Sequence, residues 1–218
     1  MDVGAGFPVW ASVPAWGAAA AVLALSARGL PLARWRDDAM ARRVLLCATL
    51  AIMAMRWFNT AALQGVVLHF LGATVATLLF GARVACWVMA AASLAGVLLG
   101  TDLEGWAWDF LLTGVVPVVA TVAVSLGAMR WVPSNIFTYV MVNAFGAAAV
   151  AMAASSLAKA AVAALLGGAA AAYLAATPLL MFGEAFLTGG IMVLVVVYRP
   201  QWCASFDDRT YLGPERPM

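Results

Sequence analysis

Apolar stretches as long as a bilayer is thick recur along the whole chain and are separated by short polar clusters. A helix needs about 20 residues to cross about 30 Å of hydrocarbon. Seven segments meet or approach that length, at roughly 7–28, 43–62, 65–81, 84–100, 106–128, 136–166 and 169–198. The pattern predicts an all-α polytopic membrane protein with seven transmembrane helices. These form a single transmembrane domain over residues 1–200, followed by a short tail, 201–218. The last two segments exceed the thickness they must cross, which predicts tilt, kinking or extension beyond the bilayer. Breaks are expected at Pro178 and at the pair Gly167, Gly168.

Charge placement gives direction. The link after the first segment carries Arg28, Arg34, Arg36, Arg42 and Arg43. By the positive-inside rule this link is cytoplasmic, so the N-terminus is expected outside. Alternation then puts Arg83 and Arg130 inside. With seven spans the tail bearing Arg199, Arg209 and Arg216 is inside as well, which makes ten of the twelve basic residues cytoplasmic. An eighth span, cut from 160–176, would put that tail outside. The short loop holding Asp102 and Glu104 has no basic residue and fits the outer side. The first segment is expected to stay in the mature protein, because no Lys or Arg precedes it and the arginine cluster follows it, the reverse of an export signal.

Composition agrees and excludes alternatives. Of the 218 residues 66% are hydrophobic and 10% charged, and the mean hydropathy is +0.99. A soluble domain is about 45–50% apolar and about 25% charged, so a soluble enzyme, a nucleic-acid binder and a secreted disulfide scaffold are ruled out. The net charge of +2 reports topology and not an acidic partner. Cys47, Cys86 and Cys203 map to the inner half or the cytoplasmic side, where thiols stay reduced, and no pair has metal-ligand spacing.

Ionisable groups at membrane depth each cost about 2.5–3.5 kcal/mol at a helix centre on insertion scales, so they mark the places to look for function. His69 falls near the outer end of the third segment and reads as an interhelical histidine or a metal ligand. Arg56 lies in the outer half of the second segment, where it can snorkel outward or pair with Asp109 or Glu104. Asp109 opens the fifth segment beside Trp106 and Trp108, which suit an interfacial aromatic belt, and it can cap a helix or touch a ligand. Asn143 and Glu184 are expected to hydrogen-bond between the sixth and seventh helices. Scattered carboxylates and a single histidine form no catalytic set, so an enzyme is not expected. Small residues stand out too: Ala18 to Ala21, Ala24 and Ala27 on the first helix, and an alanine and glycine run from Ala144 to Ala172. Such faces let helices approach closely, within the bundle or against another membrane subunit.

Three stretches carry a family resemblance: "LHFLGATVATLLFG" over Leu68 to Gly81, "IFTYVMVNAFGAA" over Ile136 to Ala148, and "TPLLMFGEAFLTGGIMVLVVVYRPQW" over Thr177 to Trp202. In this order they resemble the CbiM and NikM group of permeases from energy-coupling-factor transporters, which capture cobalt or nickel. The tail "YRPQWCASFDDRTYL" is similar to that of a proteobacterial branch. The resemblance implies a multi-pass protein of the bacterial inner membrane, seven helices with an outer N-terminus, and capture of a divalent ion with no permanently bound cofactor. It implies a ligand set of the Met1 amine, position 2 and His69; the family's histidine at position 2 is here Asp2, a harder oxygen donor. It further implies docking of the first helix, through Ala20 and Ala24, on a transmembrane coupling protein served by separate ATPase subunits. This chain has no Gly-rich phosphate loop to power transport itself. Two other readings stand beside capture: an assembly or regulatory membrane protein that has kept the fold without the metal site, and a proton-linked carrier using Glu184 and Asp109.

Overall fold

A computed structural model describes residues 9–57, 60–63, 66–68, 70–98, 103–166, 168 and 170–211. It is helical over most of its length. The helices are α1 (Val9–Ala27), α2 (Leu32–Asp37), α3 (Ala39–Trp57), α4 (Ala73–Phe80), α5 (Ala82–Leu98), α6 (Leu103–Phe110), α7 (Val116–Trp131), α8 (Ile136–Thr138), α9 (Ala147–Leu165), α10 (Ala170–Tyr198) and α11 (Asp208–Tyr211). One five-residue π segment, Leu111–Val115, joins α6 to α7, and a longer one, Tyr139–Gly146, joins α8 to α9. Among the described residues three continuous helices are therefore long and apolar enough to cross a membrane: Leu103–Trp131, Ile136–Leu165 and Ala170–Tyr198.

Six of the seven expected segments are helical over most of their predicted length. The third is not. Where one helix was expected over 65–81, the chain forms a strand β2 (Val66–Leu68) paired antiparallel with β1 (Thr60–Leu63), and then the eight-residue α4. The pairing sets Thr60 against Leu68 and Leu63 against Val66, with an irregularity between. Gly72 explains the break. Its φ of 66° is left-handed and cannot continue a helix from the N-terminal side, and Gly81, at φ 82°, closes α4 at its other end. A Cβ on Gly72 would sit 3.0 Å from Ile52 Cγ1 in α3. Gly72→Ala is thus expected to combine backbone strain with a clash and to destabilise the protein by about 1–3 kcal/mol, measurable as a lower unfolding midpoint in detergent.

The expected break at Pro178 is also corrected, since α10 runs through it without interruption. Proline strips one hydrogen bond from a helix, and a membrane helix tolerates this where a nearby hydroxyl serves the freed backbone. The carbonyl that Pro178 frees is that of Leu174; on the same turn Thr177 Oγ1 donates to the neighbouring Tyr173 carbonyl at 2.8 Å. The helices α9 and α10 are separate, with Gly168 lying between them as expected, while Gly167 lies outside the described residues.

Among the described residues the core has two main apolar clusters and a small third one of Ala160, Tyr173 and Ala176. The larger joins Ala15 and Ala19 of α1, Ile52 of α3, Met89 of α5, Phe110 of α6 and the first turns of α4. The second joins Val75, Leu78 and Leu79 of α4 to Tyr139, Met192 and Val196, and also to Cys203, Phe206 and Tyr211 of the tail. The short helix α4 belongs to both clusters, and its residues 73–79 are all buried. Close packing elsewhere relies on absent side chains: a methyl on Gly189 of α10 would collide with the ring of Phe145.

Candidate functional site

Met1, Asp2 and His69, the residues put forward as metal ligands, lie outside the described residues. The chain on both sides of His69 is held firmly. Before it, β2 ends at Leu68 in its pairing with β1. After it, the main-chain N–H groups of Leu71 and Gly72 donate to the two carboxylate oxygens of Glu184, at 2.9 and 2.8 Å. These amides open a helix in the interior, where no water can serve them, and no side chain within α4 caps it. A carboxylate suits the positive end of the helix dipole. Glu184 is 1% exposed. Beside it, Gly183 leaves room for the ring of Phe70, which a Cβ there would approach to 2.8 Å. The expected bond from Glu184 to the sixth helix is therefore replaced by a clamp on the third segment.

A second polar group gathers around Arg56. Arg56 near the end of α3 pairs with Asp109 of α6, and it also donates to Ser93 Oγ of α5 at 3.1 Å and to Thr113 Oγ1 at 3.0 Å. Of the two roles open to Arg56, the structure takes the pairing. Asp109 caps no helix; it accepts from Arg56 and, at 3.1 Å, from Thr113 Oγ1. The π segment begins one residue after Phe110, and there the Leu112 carbonyl accepts a bond from Ser155 Oγ of α9 at 2.8 Å. Lys159 of α9, half-buried, lies within electrostatic reach of both Asp109 and Arg56. The direct pair is Arg56 with Asp109, and Lys159 adds a second basic group at longer range. The sequence reading passed over Lys159, although it and Glu184 are the only charged residues between 136 and 198.

Asn143 does not bridge the sixth and seventh helices either. From the π segment Tyr139–Gly146 its Nδ2 donates to the Tyr211 hydroxyl at 3.3 Å, in the tail. Trp106 turns inward from the expected belt and packs between Trp16 and Phe110, with ring centroids 4.9 and 5.6 Å away. Ala20 and Ala24 are exposed on α1, on the side opposite the buried Ala15 and Ala19.

Among the described residues no three His, Cys, Asp or Glu side chains come together as a metal site. What the arrangement does provide is a fixed turn beside His69, set at the mouth of a broken helix. A family described as the cobalt uptake substrate-specific transmembrane region, CbiM, matches residues 5–202. No curated protein and no solved structure gives a match.

Proposed function

Because this chain belongs to the CbiM family of cobalt-uptake transmembrane regions, we propose that it is the ion-capture membrane subunit of an energy-coupling-factor transporter. The family is a transport component and not an enzyme in itself, and the chain is a polytopic membrane protein. The observation that carries the finer reading is the Glu184 clamp, which fixes the backbone two and three residues after His69. In this reading a divalent cation, cobalt before nickel, arrives from outside and exchanges part of its water for the Met1 amine, the Asp2 carboxylate and the His69 imidazole. Release is inward, across the bacterial inner membrane.

The energy for release comes from ATPase subunits acting through a transmembrane coupling protein. Gly17, Ala20, Ala21 and Ala24 give α1 an exposed face of small residues for that protein to pack on, and a Cβ on Gly17 would meet nothing. Glu184 and Asp109 are both engaged in holding helices together, which favours capture over a proton-linked carrier. Asp2 is the observation behind a second reading, that of a membrane regulator without the metal site. Isolation with coupling and ATPase subunits supports transport, and isolation in an unrelated complex supports the regulator.

Calorimetry on the purified chain with cobalt, nickel, copper and zinc tests the capture reading. His69→Ala is expected to weaken cobalt binding by at least about 100-fold, the upper end of what loss of even an outer-sphere partner costs. Asp2→His is expected to tighten it, because imidazole suits cobalt and nickel better than a carboxylate does. Binding that is absent, or that ignores His69, would sink the metal assignment and leave the fold standing.

A further inference from the structure

The tail does not trail away from the bundle. After α10 the chain leaves helical geometry at Arg199, turns through Pro200–Trp202, and returns beneath α4. There the Ala204 and Ser205 amides donate to the Leu79 and Leu78 carbonyls at 2.9 and 3.2 Å, and Ser205 Oγ donates to Leu78 at 2.8 Å. These carbonyls belong to the last turn of α4 and have no partner within it. The Tyr139 hydroxyl shares hydrogen bonds with Ser205 Oγ at 2.7 Å and with Cys203 Sγ at 2.8 Å. Tyr139, Phe206 and Tyr211 pack ring to ring with centroids 4.9–5.2 Å apart. Asp207 caps α11 by accepting from the Thr210 amide at 3.2 Å; it also accepts from Thr210 Oγ1 at 2.7 Å, and this hydroxyl holds its carboxyl below the usual range.

We infer that residues 203–211 form a releasable inner latch on α4, and that opening it loosens the Glu184-held turn at the other end of that helix. Four features point there. The latch is fastened by a few polar bonds and by Cys203, Phe206 and Tyr211 buried in the second cluster, while Ala204, Ser205, Asp207, Arg209 and Thr210 remain exposed, so its opening disturbs that cluster and leaves the larger one packed. The Tyr139 and Asn143 side chains hold it from the side, but its main-chain hydrogen bonds to the bundle land on a single element, α4. That element is a rigid eight-residue rod between two glycines of positive φ, Gly72 and Gly81, which act as hinges at its ends. Besides the buried packing of α4 and the Thr74–Thr121 hydroxyl bond at 2.9 Å, the polar hold on the rod's outer end is two amides on one carboxylate. A shift at one end of such a rod reaches the other through its own hydrogen-bonded backbone, a physical link and not merely spatial proximity. That the latch governs inward release of the captured ion rests on the capture reading; the coupling along α4 does not.

Deuterium exchange of the full chain in lipid nanodiscs, read by mass spectrometry and without any metal, tests the coupling. Ser205→Ala removes one hydroxyl at the edge of the bundle, and Tyr139→Phe removes its partner. Each is expected to speed exchange in 203–211 by at least about tenfold, as the loss of about 1.4 kcal/mol of local stability would. Exchange in 70–79 is expected to rise with it by at least about threefold, while α9 stays unchanged. Should Tyr139→Phe fold poorly, Ser205→Ala alone decides. Faster exchange in 203–211 with undiminished protection in 70–79 would reduce the tail to a passive cap and overturn the inference. So would a tail that exchanges only in step with α9, because it would then open only with the whole bundle.

Discussion

Replacing Glu184 by alanine is expected to cost about 2–6 kcal/mol, the largest effect of any single substitution in this chain. The figure follows from two buried amides, at Leu71 and Gly72, that would each lose their only acceptor at about 1–3 kcal/mol apiece. Neither can turn to water, and neither can join a helix, because Gly72 is held in left-handed geometry. Glu184→Gln keeps one acceptor oxygen but points an NH2 group at the second amide, so it should lose roughly half as much. Glu184→Asp keeps the charge on a shorter arm and should fall near the glutamine variant. Unfolding in mixed micelles under rising dodecyl sulfate would rank the three. If alanine and glutamine were equally mild, Glu184 would not be holding the turn.

The second large effect is an asymmetry among three charges. Asp109→Asn should destabilise by about 3 kcal/mol, the low end of what breaking a buried pair costs, because the Asp109 side chain is 34% exposed while that of Arg56 is only 9% exposed. The damage is not just a lost bond, since it leaves Arg56 buried without its carboxylate and within electrostatic reach of Lys159. Arg56→Gln should be milder, because Lys159 still offers Asp109 a cation. The double variant Asp109→Asn with Arg56→Gln should be more stable than Asp109→Asn alone, a non-additivity that a double-mutant cycle reads directly. Equal losses for the two single variants would mean that Lys159 plays no part in the cluster.

What the sequence made legible followed from length and charge. Apolar runs near 20 residues located six helices, and the scarcity of charge at membrane depth singled out Arg56, Asp109 and Glu184, all of which hold elements together. The Arg56–Asp109 pair could be foreseen because each had few opposite partners on the same side of the bilayer. The third segment could not be read this way. A largely apolar stretch of 17 residues carries no clear period to separate strand from helix, and the left-handed turn at Gly72 depends on contacts with Ile52 and Glu184 far along the chain. The partner of Glu184 was missed for a related reason: it is main chain, which no residue type announces. Lys159 was hidden inside an alanine run that invited attention to packing. The tail looked like a polar extension, because the four acceptor and anchor groups that bind it, Leu78, Leu79, Tyr139 and Asn143, lie in two other segments.

The brevity of α4 bears on how the protein is made. Eight residues rise only about 12 Å, less than half the hydrocarbon thickness. During synthesis this piece cannot partition into lipid as a span in its own right, since the amides at its head would enter the bilayer bare. The carboxylate that receives them lies 112 and 113 positions further along, and the Ser205 amide and hydroxyl, which cover the Leu78 carbonyl at its foot, come 127 positions after it. Five longer helices can enter the membrane in the order they leave the ribosome, while the centre of the bundle waits for α10 and the tail. The element nearest the proposed capture site is thus among the last to settle, and a nascent chain cut short before Glu184 would have every long helix but one and no finished interior.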